Sequence, residues 1–158
     1  MPKQSKRYYI AYGSNLNIRQ MYSRCPDAKL IGTARLDGWA LHFRKSVTGY
    51  YLNIEPKKGG AVPVAVWQIS EADERRLDRC EGFPDIYHKR EMTLDIEGIV
   101  TGKIRRRRAF AYIMNEGRPI GKPAYWYVMR CLQGYDSFGF DVNILADAYD
   151  ESKGVKTN

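Results

Sequence analysis

Histidine and cysteine are scarce in this chain, and that scarcity removes much metal and thiol chemistry at the outset. His42 and His88 are its two histidines, and Cys25, Cys80 and Cys131 stand far apart with no Cys-x-x-Cys pair. A structural zinc site needs four clustered ligands, so no metal is expected, and three separated cysteines read as reduced thiols. Also missing is any run near the roughly 20 apolar residues of a membrane span. The charged opening Met1 to Arg7 leads into no apolar stretch of signal-peptide length, so a cytoplasmic protein without a membrane partner is expected. There is no repeat, linker or low-complexity block. What is present is 158 residues, 44% hydrophobic and 13% aromatic, enough for one domain over 1–158 with a core near 8–149 and a polar tail from 150.

Basic residues exceed acidic ones by eight, which raises nucleic acid as a partner. Apart from Arg105 to Arg108, however, the cations are scattered. Those four arginines open an apparent strand, where neighbours point to opposite faces, so a solvated strand end fits better than a phosphate-tracking stripe. No nucleic-acid partner is expected, and the oligomeric state is not readable.

Along the chain, Tyr8 to Tyr12 suits a half-buried strand, and Asn17 to Arg24 a short helix ending before Cys25-Pro26. Lys29 to Arg35 and Trp39 to Arg44 predict two strands or one bent strand. Tyr50 to Ile54 and Ala61 to Trp67 predict two more, parted by a turn over Glu55 to Gly60, with Pro63 at an edge or bulge. Ser70 and Asp73 form a capping-box start to a helix that stops at Gly82. Ile86 to Ile96 and Ile104 to Met114 read as a hairpin. Lys122 to Leu132 reads as a helix with Pro123 in its first turn and Ala124, Val128, Met129 and Leu132 on one face, and Asn143 to Tyr149 as a last helix before a frayed tail from Glu151. Six or seven strands with short peripheral helices predict an α+β fold: a small mixed, mainly antiparallel and barrel-like sheet.

Two segments carry candidate chemistry. In Tyr9-Ile-Ala-Tyr-Gly-Ser-Asn-Leu16 an apolar strand runs into a polar turn, where Gly13 frees the backbone and Ser14 and Asn15 bond locally or cap. Unpaired N–H groups there attract a carboxylate or a developing oxyanion, although an ordinary strand-to-helix turn has the same composition. Glu81, at a helix end and followed by Gly82, Phe83 and Pro84, sits where the dipole and apolar neighbours raise a carboxyl pKa toward that of a working acid/base. A surface glutamate before a capping glycine is the plain alternative. Tyr87 could hold that carboxylate or a substrate, and equally suits a core. Cys80 with His88 as a nucleophilic pair lacks an orienting third group, so Cys80 is read as packing and His42 as a satisfied core or surface residue.

Together with Leu77-Asp-Arg-Cys-Glu-Gly82, Tyr87 and Pro123-Ala-Tyr-Trp-Tyr127 to Gly134, the opening segment resembles the γ-glutamyl cyclotransferase-like (AIG2-like, γ-glutamylamine cyclotransferase-like) family over residues 8 to 135. The resemblance implies a barrel-like fold and a transferase- or lyase-type enzyme, without cofactor, that cyclises a γ-glutamyl group to 5-oxoproline and releases the attached amine. By motif match Glu81 becomes the acid/base, Tyr12, Gly13, Ser14, Asn15 and Leu16 the substrate loop, and Tyr87 and Tyr127 pocket residues. A binding module of the same fold that has lost turnover is the alternative.

Overall fold

A computed structural model describes residues 6–154. Five strands and four helices follow in order: β1 (Arg7–Ala11), α1 (Ile18–Arg24), β2 (Lys29–Lys45), β3 (Tyr50–Ile69), α2 (Glu71–Glu81), β4 (Tyr87–Gly98), β5 (Ile104–Met114), α3 (Tyr125–Phe138) and α4 (Val142–Ser152). The strands close into a barrel in the order β1-β3-β2-β4-β5. All pairings are antiparallel except β1 with β5, which run parallel at Tyr9 opposite Phe110. The fold is thus the expected α+β arrangement, with closure added. No helix among the described residues is long and apolar enough to cross a membrane.

The strands number five rather than six or seven because β2 and β3 are longer than their composition suggests. Lys29 to Lys45 is one bent strand, and Tyr50 to Ile69 is continuous through the segment expected to turn. Partner residues step from Asp37–Ala61 to Trp39–Pro56, so Lys57 to Gly60 bulge out opposite Gly38. Gly59 and Gly38 adopt positive φ there, which explains why turn chemistry marks the spot. Pro63 pairs with Arg35 beyond the last β1 pairing at Ala65, so it lies on a stretch of β3 with one neighbour.

The capping box of α2 forms as expected: Ser70 Oγ accepts the Asp73 N–H, Asp73 accepts the Ser70 N–H, and Gly82 closes the helix at φ 68°. Helix α3 begins later than expected. Pro123 precedes the Ala124 cap instead of lying in the first turn, and the buried face is Tyr127, Cys131, Gly134 and Tyr135 rather than the Ala124–Leu132 stripe. The frayed tail is also corrected, since α4 continues through Ser152, whose Oγ donates to the Tyr149 carbonyl at 2.6 Å. Residues 155–158 of that tail, like residues 1–5, lie outside the described residues.

Phe43, Ile54, Val64, Val66 and Phe110 are fully buried in the core. Each such side chain stabilises the fold by about 1.5–3 kcal/mol. The arginine run behaves as a solvated strand end: Arg106 reaches Asp95 at 3.4 Å and Arg108 reaches Glu91 at 2.7 Å across the β4–β5 hairpin. His42, half-buried, meets Glu151 at 2.6 Å, and His88 points outward to Asn115.

Candidate active site

Residues 12 to 16 leave the end of β1 and immediately coil. Ser14–Leu16 form one 3-10 turn, with the Leu16 N–H on the Gly13 carbonyl at 3.0 Å and the Asn17 N–H on the Ser14 carbonyl at 2.9 Å. Asn17, rather than Ser14 or Asn15, caps α1: its Oδ1 accepts the Gln20 N–H at 3.1 Å. The Gly13, Ser14 and Asn15 N–H groups have no acceptor among the described residues. They remain as donors.

The side chains of the turn are braced by their neighbours. Gln20 Nε2 donates to Ser14 Oγ at 2.7 Å and to Asn15 Oδ1 at 3.1 Å, Arg24 Nη1 donates to Asn15 Oδ1 at 3.0 Å, and Asn15 Nδ2 donates to the Tyr9 hydroxyl at 2.9 Å. Gln20 is held in turn by Arg130 Nη1 at 2.5 Å. These bonds fix the backbone, and the Ser14 hydroxyl, which accepts from Gln20, keeps its own proton to donate.

Two glycines set the spacing. A Cβ on Gly13 would meet the Tyr127 hydroxyl at 2.9 Å, and one on Gly134 would meet Leu16 Cβ at 2.5 Å, so both positions require the bare backbone. Leu16, the last residue of the expected substrate loop, is completely buried beneath α3 and is not among the residues lining the cavity.

Between this turn and the end of α2 lies a cavity of about 150 Å³. Its lining brings together Tyr12, Gly13, Ser14, Asn15, Glu81, Tyr87 and Tyr127 from the sequence reading, and adds Tyr9, Arg24, Tyr51, Tyr112 and Trp126. Cys80 is there too, exposed rather than packed in the core. His88 lies on the far side of β4 from the cavity, so no Cys80–His88 pair exists.

Glu81 is the one acidic residue in that lining. It is half-buried, since it faces an open cavity, and it makes no hydrogen bond among the described residues. Burial among tyrosine rings pushes its carboxyl up to about 7, with Arg24 opposing the rise. The tyrosines themselves are held neutral: burial raises Tyr9, Tyr12, Tyr87 and Tyr127 above the ordinary phenol range, and a neighbouring Glu81 charge raises each further. They are donors or acceptors, not bases. Tyr12 donates to the Tyr112 carbonyl at 2.6 Å, Tyr112 donates to Asp78 at 2.5 Å, and the Tyr127 hydroxyl accepts the Leu52 N–H at 3.1 Å.

Local signals marked the turn and the helix end, but not Gln20, Arg24 or Arg130. Gln20 and Arg24 lie one helical turn apart and so share a face of α1, which is the pattern that could have linked them to the turn. Arg130 comes from α3, and nothing in its neighbourhood in the chain announces that contact.

Fold and site together define an α+β barrel protein with one raised, unpartnered carboxyl in a cavity shared with unbonded backbone N–H groups. Its sequence belongs to the family described as "Gamma-glutamyl cyclotransferase, AIG2-like", which it matches over residues 9–128. A solved γ-glutamyl cyclotransferase shares 23% identity and superposes with a TM-score of 0.78, over 98% of this chain and 92% of its own. An uncharacterized human protein shares 22% identity with a TM-score of 0.75, over 98% and 93%. A yeast γ-glutamyl cyclotransferase described as specific to glutathione shares 12% with a TM-score of 0.68, over 98% and 100%. At these identities the likeness is one of fold. No curated protein matches the sequence.

Proposed function

We propose that the protein is a γ-glutamyl cyclotransferase that converts a γ-glutamyl amine or amino acid to 5-oxoproline and the free amine. The observation that carries this reading is a carboxyl raised to about 7 and lacking a partner, in one cavity with three unspent backbone donors. A binding-only protein has no use for a carboxyl poised at neutrality, because holding a cation calls for a strongly ionised acid.

The reaction needs a proton shuttle and a cradle. The substrate's α-ammonium stands beside its own free α-carboxylate and is a weaker acid than a peptide N-terminus, so the transfer to Glu81 runs uphill, and a carboxyl raised to about 7 makes it less costly than an ordinary one would. The freed amine attacks its own γ-carbonyl carbon and closes a five-membered ring. Because nucleophile and electrophile belong to one molecule, orientation replaces much of the activation barrier. The carbonyl oxygen becomes an oxyanion, which N–H groups of Gly13, Ser14 and Asn15 stabilise by roughly 3 kcal/mol per well-aimed donor. Glu81 returns its proton to the departing nitrogen and then takes the second proton of the ring nitrogen, which it later loses to solvent, so that the lactam forms neutral. The C–N bond then breaks and the neutral amine leaves.

Tyr87 and Tyr127, neutral and buried, orient the glutamyl head. Arg24 at the edge of the cavity offers a counter-charge for a carboxylate. A panel of γ-glutamyl amines, amino acids and peptides incubated with the protein, read by 5-oxoproline release, tests the proposal. Release from at least one compound is expected, and silence across the panel sinks it.

A further inference from the structure

Some arginines on the molecule are held by carboxylates, as Arg7 is by Glu74 at 2.9 Å, Arg44 by Glu55 at 2.7 Å and Arg108 by Glu91 at 2.7 Å, while others, such as Arg90 over the Trp39 ring, stand singly without one. Beside the cavity, three arginines without a carboxylate partner are gathered in one place. Arg19, Arg24 and Arg130 line a groove of about 630 Å³ between α1 and α3, together with Gln20, Ser23 and Gln133, and no acidic residue contributes to its walls. Arg24 donates to Asn15 Oδ1 at 3.0 Å and Arg130 to Gln20 Oε1 at 2.5 Å. Both acceptors are neutral amide oxygens. Arg19 has no side-chain partner among the described residues, and its position on α1 is exposed.

A guanidinium carries five N–H donors and does not lose its proton in a protein, so each of these three keeps its charge and most of its donors. Like charges gathered without a counter-ion repel one another, and an anion entering the groove removes that repulsion while accepting forked hydrogen bonds. The groove also connects to the chemistry. Arg24 lines both it and the catalytic cavity, and Arg130 lies 5.2 Å over the ring of Trp126, which itself lines the cavity.

We infer that this groove receives the released half of the substrate, and that this half carries a carboxylate. The inference rests on the γ-glutamyl reading of the neighbouring cavity and narrows it. The substrate is a γ-glutamyl amino acid or short γ-glutamyl peptide rather than a γ-glutamyl amine without an acid group. As the head is cyclised in the cavity, Arg19 and Arg130 hold the far carboxylate and Arg24 stands between the two.

The test compares γ-glutamyl-alanine with γ-glutamyl-alaninamide, which differ in charge and hardly in size. Wild-type kcat/KM is expected to favour the acid by roughly tenfold, the size of one charge-assisted hydrogen bond. In the double variant Arg19→Gln, Arg130→Gln that ratio falls to about one. Because both substrates are measured on the same protein, a general loss of folding or activity lowers both and leaves the ratio alone. Equal turnover of acid and amide by the wild type overturns the inference and leaves the cyclisation standing.

If no γ-glutamyl compound yields 5-oxoproline, the reading of the cavity fails, and the groove is judged by binding. Glutaryl-alanine lacks the α-amine and cannot cyclise. Titrated against glutaryl-alaninamide, it is expected to shift the arginine side-chain Nε–Hε resonances selectively. Matching shifts from both probes, or none from either, overturn the groove as a carboxylate site.

Discussion

Glu74 and Glu81 lie two turns apart on α2, on nearly the same face of the helix, and they have been driven in opposite directions. Glu74 accepts from Arg7 at 2.9 and 3.0 Å and from Lys89 at 2.6 Å, and those bonds, Arg7 first, hold it down to about 2. Glu81 faces tyrosine rings with no bonded partner and rises to about 7. One helix therefore carries a fixed structural anion at its start and a carboxyl poised near neutrality at its end. The residue type is shared, so the difference belongs to the surroundings: cations around the first, uncharged rings around the second.

The most severe way to break the comparison is Glu81→Gln. If Glu81 moves the proton, 5-oxoproline release falls by roughly 100- to 10,000-fold, with circular dichroism unchanged. Retained turnover would make the two glutamates equivalent bystanders. Next comes Glu74→Gln, which leaves Arg7 and Lys89 without their shared acceptor. Chemical denaturation at pH 7 should show a loss of about 2 kcal/mol. A carboxyl depressed in the fold stabilises above the ordinary carboxylate range, so this deficit should shrink as the pH falls from about 4.5 toward 2.

The same measurement on Glu81→Gln should carry the opposite sign. A carboxyl raised in the fold favours the native state fully below about 4.5 and progressively less as pH climbs to about 7. The neutral amide escapes that loss, so at pH 8 the variant should be more stable than wild type by roughly 1 kcal/mol, a modest figure because Glu81 is partly open to solvent. Smallest is the effect of Arg24→Gln. Wild-type kcat/KM should rise with pH through a limb near 7 as Glu81 ionises, and removing the opposing cation should move that limb to higher pH. A limb that stays put would detach Arg24 from the carboxyl.

How much of this was readable beforehand depends on how local the cause is. The capping box of α2, the stop at Gly82 and the whole of β5 follow from neighbouring residues, and they were read correctly. The 55–60 segment misled because its residues do have turn chemistry, while its partner Gly38 lies in another strand and converts the turn to a bulge. The site divides in the same way. Gly13, Glu81 and their apolar neighbours announce themselves in short windows. Gln20 bracing the turn, Arg130 bracing Gln20, and the tyrosine walls are products of helices and strands meeting in space. Leu16 shows the reverse, since membership in a motif put it in the expected substrate loop and packing against Gly134 puts it underneath.

The Tyr12 hydroxyl bonded to the Tyr112 carbonyl at 2.6 Å, beside the parallel contact of Tyr9 with Phe110, fixes when the cavity comes into being. Tyr12 must wait for a strand made 100 positions later, and then for α3 to seat on the turn. Loop closure over so long a separation is a late and slow event. A nascent chain released or stalled before residue 125 would carry both the turn and Glu81 yet have no assembled pocket, so the cavity is complete only when synthesis has passed the third helix.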